Sequence, residues 1–201
     1  PHKDIVRAFD QSLILYAEHS FNASTFTARV ITSSQASFFG AISGAIASLK
    51  GPLHGGANEA VLNQFLEIEH LDDVPQWLDE KLAKKERVMG FGHRLYRLGD
   101  SRVPSMKKAF LAVAEHKNDL HLADLYYALE EEMIQKKGIY PNLDYPAGPA
   151  YHLMGFDTDL FTPIFVMSRL AGWSAHIIEQ AQNNRLIRPS SKYIGPKYKP
   201  L

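Results

Sequence analysis

Phe38-Phe39-Gly40-Ala41-Ile42-Ser43-Gly44-Ala45-Ile46-Ala47-Ser48-Leu49 is apolar, rich in Ala, Gly and Ser, and followed by Lys50-Gly51-Pro52. Ala41, Gly44, Ala45 and Ser48 fall on one side at helical spacing, where small side chains let another helix approach closely. We read a buried helix, ended where Gly takes the C′ position and Pro cannot continue the turn. Upstream, Ile5, Val6, Phe9, Leu13 and Tyr16 recur at spacings of three and four, the stripe of an amphipathic helix. A second helix is expected over 24–32, with Ser24 as its N-cap. Downstream, helices are predicted over 57–69, 73–84, 104–116, 120–137 and 159–183, the last bent near Arg169. The stretch 90–99, with three glycines, reads as a loop, and 141–149 as too Pro-rich for regular structure. The chain after Pro189 reads as extended. Few segments alternate with period two and none is bounded like a hairpin, so the fold class is all-α.

Composition narrows the function. The 201 residues correspond to one or two domains at about 150 residues each. With 45% hydrophobic and 22% charged residues the chain is of ordinary globular type. Lys plus Arg and Asp plus Glu number 22 each, which argues against a partner such as nucleic acid or a membrane surface. The absence of Cys removes disulfides, thiol catalysis and cysteine-held metals. No apolar run approaches the ~18 residues of a membrane span, and no signal peptide opens the chain, so a cytoplasmic location is expected.

Several polar residues stand in Gly- or Pro-rich turns. His54, in Gly51-Pro52-Leu53-His54-Gly55-Gly56, lies at an expected helix N-terminus, where the dipole disfavours an imidazolium. A neutral His there polarises a carbonyl by donating one hydrogen bond; a capping or packing role fits the motif equally well. His93 closes Val88-Met89-Gly90-Phe91-Gly92-His93, but Leu95 stands where a dinucleotide fingerprint needs its third Gly. Arg94, Arg97 and Arg102 follow, a set suited to an anionic ligand or to a solvated basic turn. Asp144 lies between prolines beside Tyr145 and reads as a held general base or as a turn-forming Asx. His19 is a candidate on the same terms as a simple cation at a helix end. Neither HExxH nor a GxSxG elbow is present, so no metal is assigned.

Taken in order, five segments resemble the citrate synthase family. They are His19-Ser20-Phe21-Asn22-Ala23-Ser24-Thr25, Gly51-Pro52-Leu53-His54-Gly55-Gly56-Ala57-Asn58-Glu59, Met89-Gly90-Phe91-Gly92-His93-Arg94, Pro141-Asn142-Leu143-Asp144, and Phe161-Thr162-Pro163 through Arg185-Leu186-Ile187-Arg188-Pro189. Gly99-Asp100-Ser101-Arg102-Val103-Pro104 and Tyr145-Pro146-Ala147-Gly148-Pro149 look most like actinobacterial 2-methylcitrate synthases. The commoner family pattern has Pro where Ser101 stands and an aromatic-Ser-Gly stretch near Pro146-Ala147-Gly148. These departures neighbour the site and leave the acid/base residues in place.

The resemblance implies an acyltransferase that condenses an acyl-CoA with oxaloacetate and then hydrolyses the thioester. Propionyl-CoA is the favoured substrate, with acetyl-CoA also used; citrate synthase proper and an inactive ligand-binding or oligomerising fragment are the alternatives. It implies Asp144 as base, His54 as donor to the enolate oxygen and His93 as acid toward the ketone. His19, Arg102, Arg169 and Arg188 would bind oxaloacetate, Arg188 by crossing to a partner subunit in a homodimer. Val88, Met89, Gly90, Phe91 and Gly92, with Arg97, would receive CoA, which is a substrate and not a cofactor. The family's architecture implies large-domain segments at 1–55 and 151–201 around a small domain at 56–150 that closes over the site. The family's long N-terminal helical region is missing, so the chain is expected to be the C-terminal part of a longer enzyme.

Overall fold

The computed structural model describes residues 1–93, 96 and 98–196. Among them are nine α-helices: α1 Lys3–Tyr16, α2 Ala23–Ser33, α3 Phe38–Leu49, α4 Ala57–Leu66, α5 Val74–Ala83, α6 Val103–Lys117, α7 Leu120–Lys137, α8 Asp144–Met154 and α9 Phe161–Gln182. Extended pairing among the described residues is limited to one isolated antiparallel bridge, Phe91 with Pro141. The all-α expectation therefore holds, and α9 runs uninterrupted through Arg169.

Two local readings need correction. The expected cap Ser24 is already inside α2; Asn22 caps it instead, its Oδ1 accepting from the Thr25 N–H at 3.1 Å. The stretch expected to be irregular over 141–149 contains the start of α8. Pro146 falls in the first turn, where a backbone N–H has no helical partner to lose. Pro149 does forfeit a bond, and packing compensates: eight of the 11 residues of α8 are buried, making it the central helix.

The helices build around α8. It packs on α4 and α6, while α1 lies against α6 and α9, and the α2–α3 pair rests on α9. Gly44 shows why small residues matter: a Cβ there would come 2.2 Å from Ile31 Cδ1 of α2. Only one face of α3 is covered, however. Ala41, Ala45 and Leu49 are fully buried, whereas Phe39 is 80% exposed on the other side. The α4–α8 contact has less room to adjust, since a Cβ at Gly148 would lie 2.5 Å from the Asn58 carbonyl oxygen, a backbone atom that cannot step aside as the end of the Ile31 side chain can. We expect Gly148→Ala to cost about 1–3 kcal/mol by overpacking. A lower urea midpoint with helical circular dichroism retained is the expected result; an unchanged midpoint would show that the two helices stand further apart.

Candidate active site

A cavity of about 920 Å³ opens where the C-terminus of α1, the turn before α4, the 88–93 loop, the start of α8 and the middle of α9 converge. His19, His54, Val88, Met89, Gly90, Phe91, Gly92, His93, Arg102, Asp144 and Arg169 all line it. Arg188 does not: it is exposed on the segment after α9, donating to the Pro189 carbonyl at 3.3 Å. Arg97 lies outside the described residues.

Asp144 is the first residue of α8, surrounded by protein except where it meets the cavity. Its N–H is held by Asn142 Oδ1 at 3.1 Å, and its Oδ1 accepts from the Tyr16 hydroxyl at 2.6 Å. Burial raises its pKa above the ordinary carboxylate range; the Tyr16 bond, Arg102 and Arg169 oppose that shift without cancelling it. The result is a poorly hydrated carboxylate of increased basicity, the property a general base requires.

His54 lies in the turn closed by Gly55 N–H to the Leu49 carbonyl at 2.8 Å. Its pKa is pushed down to about 4, first by burial and then by the cation of Arg169. The neutral ring was expected from a helix dipole; the causes lie in packing and in a residue of α9. The Ser24 N–H, which can only donate, points at His54 Nε2 at 3.3 Å. That assigns the ring proton to Nδ1, on the side away from Ser24. The Ser24 hydroxyl lies 2.8 Å from the same Nε2 and accepts from Trp173 Nε1–H at 3.1 Å, which fixes the ring from behind.

The two remaining histidines form a neutral pair. His19 Nε2 and His93 Nε2 stand 3.0 Å apart. The Tyr96 N–H donates to His93 Nδ1 at 3.3 Å, so His93 carries its proton on Nε2 and donates to His19. Arg102 Nη2 approaches the accepting His19 Nε2 at 3.4 Å, in agreement. Burial lowers both pKa values, with Arg102 adding to the effect, and that of His19 falls to about 4.

Arg102 is held by Asp100, which accepts from Nε at 3.0 Å and from Nη2 at 2.6 Å. The Asp100 side chain is 1% exposed, and burial alone would raise its pKa; the bonds to Arg102 bring it below the usual range. Arg169 is different. It is 2% exposed, donates from Nε to the Tyr16 carbonyl at 2.7 Å, and lies over the Phe165 ring at 4.7 Å. Its buried Nη1 has no hydrogen-bond partner among the described residues. Burial and then Arg102 lower its pKa to about 10, which leaves it charged at neutral pH. Arg102 is matched by Asp100, so the unpaired donor of Arg169 is what equips this end of the cavity to receive an anion.

At the other end the 88–92 segment is tied down by hydrogen bonds to its main chain. Met89 N–H donates to Gln64 Oε1 at 2.8 Å, Gly92 N–H to the Tyr140 carbonyl at 2.9 Å, and Asn142 N–H to the Gly90 carbonyl at 2.8 Å. Gly90 has φ of +84°, and a Cβ there would meet Val61 Cγ2 at 2.7 Å, so only glycine fits. Arg87 and Lys137 line the same end.

Tyr16, Asp100, Ser24 and Asn142 were not predicted as site residues. The apolar stripe of α1 predicts that Tyr16 is buried, as it is, but carries no sign of where the hydroxyl points. Asp100 had a visible signal, an acidic residue two positions before Arg102 in a Gly-rich turn.

The family model described as citrate synthase, C-terminal domain, matches residues 1–190. The chain is 56% identical over 201 residues to a citrate synthase of Mycolicibacterium smegmatis, covering all of this chain and 54% of that protein. It is 57% identical over 201 residues to a 2-methylcitrate synthase of Mycobacterium tuberculosis, covering 51% of it. The chain thus spans about half the length of the curated relatives it matches. Its structure superposes with a TM-score of 0.92 and 38% identity on citrate synthase of Thermoplasma acidophilum in ternary complex with carboxymethyl coenzyme A and oxaloacetate, covering 100% of this chain and 55% of that one. Citrate synthase of Thermotoga maritima gives a TM-score of 0.90, also at 38% identity, over 100% of this chain and 56% of that one. On the matched family model, the close relatives and the shared fold, this chain belongs to the citrate synthase family.

Proposed function

We propose that this cavity condenses an acyl-CoA with oxaloacetate and hydrolyses the thioester so formed, with propionyl-CoA giving 2-methylcitrate and acetyl-CoA also accepted. The single observation that carries the reading is the buried guanidinium of Arg169. Its buried Nη1 has no partner among the described residues, and Arg169 lines the cavity together with Asp144 and His54. A buried charged donor left unmatched is costly, and a substrate carboxylate supplies the missing acceptor.

The chemistry divides by residue. Asp144 takes a proton from the carbon next to the thioester carbonyl. His54, neutral and protonated on Nδ1, donates a hydrogen bond to the carbonyl oxygen as charge develops there, the role of an oxyanion donor. The enolate carbon attacks the ketone carbon of oxaloacetate, and His93 acts as the acid toward the ketone: its Nε2–H turns from His19 to the ketone oxygen and holds the alkoxide, which ends as a hydroxyl with the proton that Asp144 removed from carbon. Arg102, Arg169 and His19 hold the carboxylates, and water then cleaves the thioester. Val88, Met89, Gly90, Phe91 and Gly92, with Arg97, receive CoA, near the cations of Arg87 and Lys137. Arg188, exposed on its extended segment, reaches the site of a second subunit in a homodimer. The segment 56–150 acts as the small domain of a cytoplasmic enzyme, and its closure expels water from the reaction.

The test is turnover with each acyl-CoA and oxaloacetate in the full enzyme. One methylene in an apolar pocket discriminates by only ~10–200-fold, so both substrates should react, propionyl-CoA the better. Full-rate turnover of acetyl-CoA with none of propionyl-CoA would overturn the substrate assignment. Absence of condensation with either would overturn the activity.

A further inference from the structure

We propose that Tyr16 is a positioning residue that holds the base Asp144 and the cation Arg169 in fixed relation. The inference rests on the condensation reading above and extends it. Tyr16 is the last residue of α1 and is 2% exposed. Its hydroxyl donates to Asp144 Oδ1 at 2.6 Å, while its main-chain carbonyl accepts from Arg169 Nε at 2.7 Å. That carbonyl is open to a side chain because the last carbonyls of a helix have no partner within it. Its ring packs on Phe165 at 4.3 Å between centroids, and the Arg169 guanidinium lies over the same Phe165. One side chain and its own backbone thus meet the base, the cation and the aromatic between them.

The arrangement has chemical consequences. With Oδ1 engaged by Tyr16, Asp144 is left Oδ2 to take the substrate proton. The hydroxyl also stabilises the charged carboxylate, working with Arg102 and Arg169 against burial and the charge of Asp100. Besides Tyr16, Arg102 and Arg169, Tyr151 also senses the Asp144 charge, and its own bond is to Ser12. The phenol of Tyr16, itself raised well above its ordinary value by burial, stays protonated and remains a donor across the working pH range.

The experiment is kcat/KM for acyl-CoA against pH in the full enzyme, for the parent and for Tyr16→Phe. The base works as a carboxylate, so activity falls as pH drops through the Asp144 pKa. Loss of the hydroxyl should move this acidic limb to higher pH by about one unit. The plateau should fall about tenfold as the carboxylate loses its orientation. KM for oxaloacetate should stay near the parent value, because the carbonyl that holds Arg169 remains. A purely structural defect would scale activity equally at every pH and leave the limb in place; that result overturns the proposal. If Tyr16→Phe does not fold, 3-fluorotyrosine at position 16 retains the contact with a more acidic donor. The limb should then move to lower pH, and an unmoved limb is again fatal. Asp144→Asn in parallel separates the two readings: if it keeps its turnover, the role of Asp144 is wrong whatever Tyr16 does.

Discussion

Asp144→Asn should lower turnover in the full enzyme by about 10²–10⁴-fold while oxaloacetate still binds. Asparagine keeps the size of the side chain and an oxygen to accept the Tyr16 hydroxyl, so the local structure should survive. What it lacks is the capacity to take a proton from carbon. The carboxylate here is surrounded by protein and its pKa is raised by burial, so no neighbouring solvated group substitutes for it easily. Oxaloacetate affinity, read by calorimetry, should be preserved because Arg102 and Arg169 are untouched. The acidic limb of the parent's pH profile, which follows protonation of Asp144, should disappear from whatever activity remains. Near-parent turnover in a folded Asp144→Asn enzyme would remove Asp144 from the mechanism.

His54→Ala should cost about 10²–10³-fold in kcat, the usual effect of deleting one donor to a developing oxyanion. The argument depends on protonation state. Burial and Arg169 lower the His54 pKa to about 4, so the ring is neutral above about pH 5 and becomes charged only as pH falls through 4. It therefore donates as an imidazole near neutral pH, and should contribute no limb of its own there. Ser24→Ala should have a smaller effect of the same kind, because the Ser24 N–H that selects the tautomer is retained. A limb near pH 6.5 that is lost in His54→Ala would show that the ring titrates normally, and that the burial argument is wrong.

Much of the helical layout was legible because helices obey local rules. Periodicity predicts the 120–137 helix with the bounds the structure shows, and Gly51-Pro52 marks the end of α3. The polar residues in the turns were also legible, since unusual residues between glycines and prolines stand out from an apolar background. Error entered where packing outweighed propensity. Two prolines within α8 suggested irregular chain, yet burial of nearly the whole helix against α4 and α6 outweighs one lost hydrogen bond. At α2 the better acceptor, two residues before Ser24, took the cap.

The sequence by itself determined the helix class, the turns that carry chemistry and, through motif resemblance, the family. Each of those depends on neighbours a few residues apart, where spacing alone sets which side chains share a face. Tertiary structure decided how the chemistry works. The Tyr16 hydroxyl reaches Asp144 across 128 residues of chain, and Arg169 of α9 depresses the pKa of His54 in the turn before α4. A hydrophobic stripe states that a position is buried, but not which atom it meets. That atom is set by how α1, α8 and α9 cross, and crossing geometry follows from the shapes of all their side chains together.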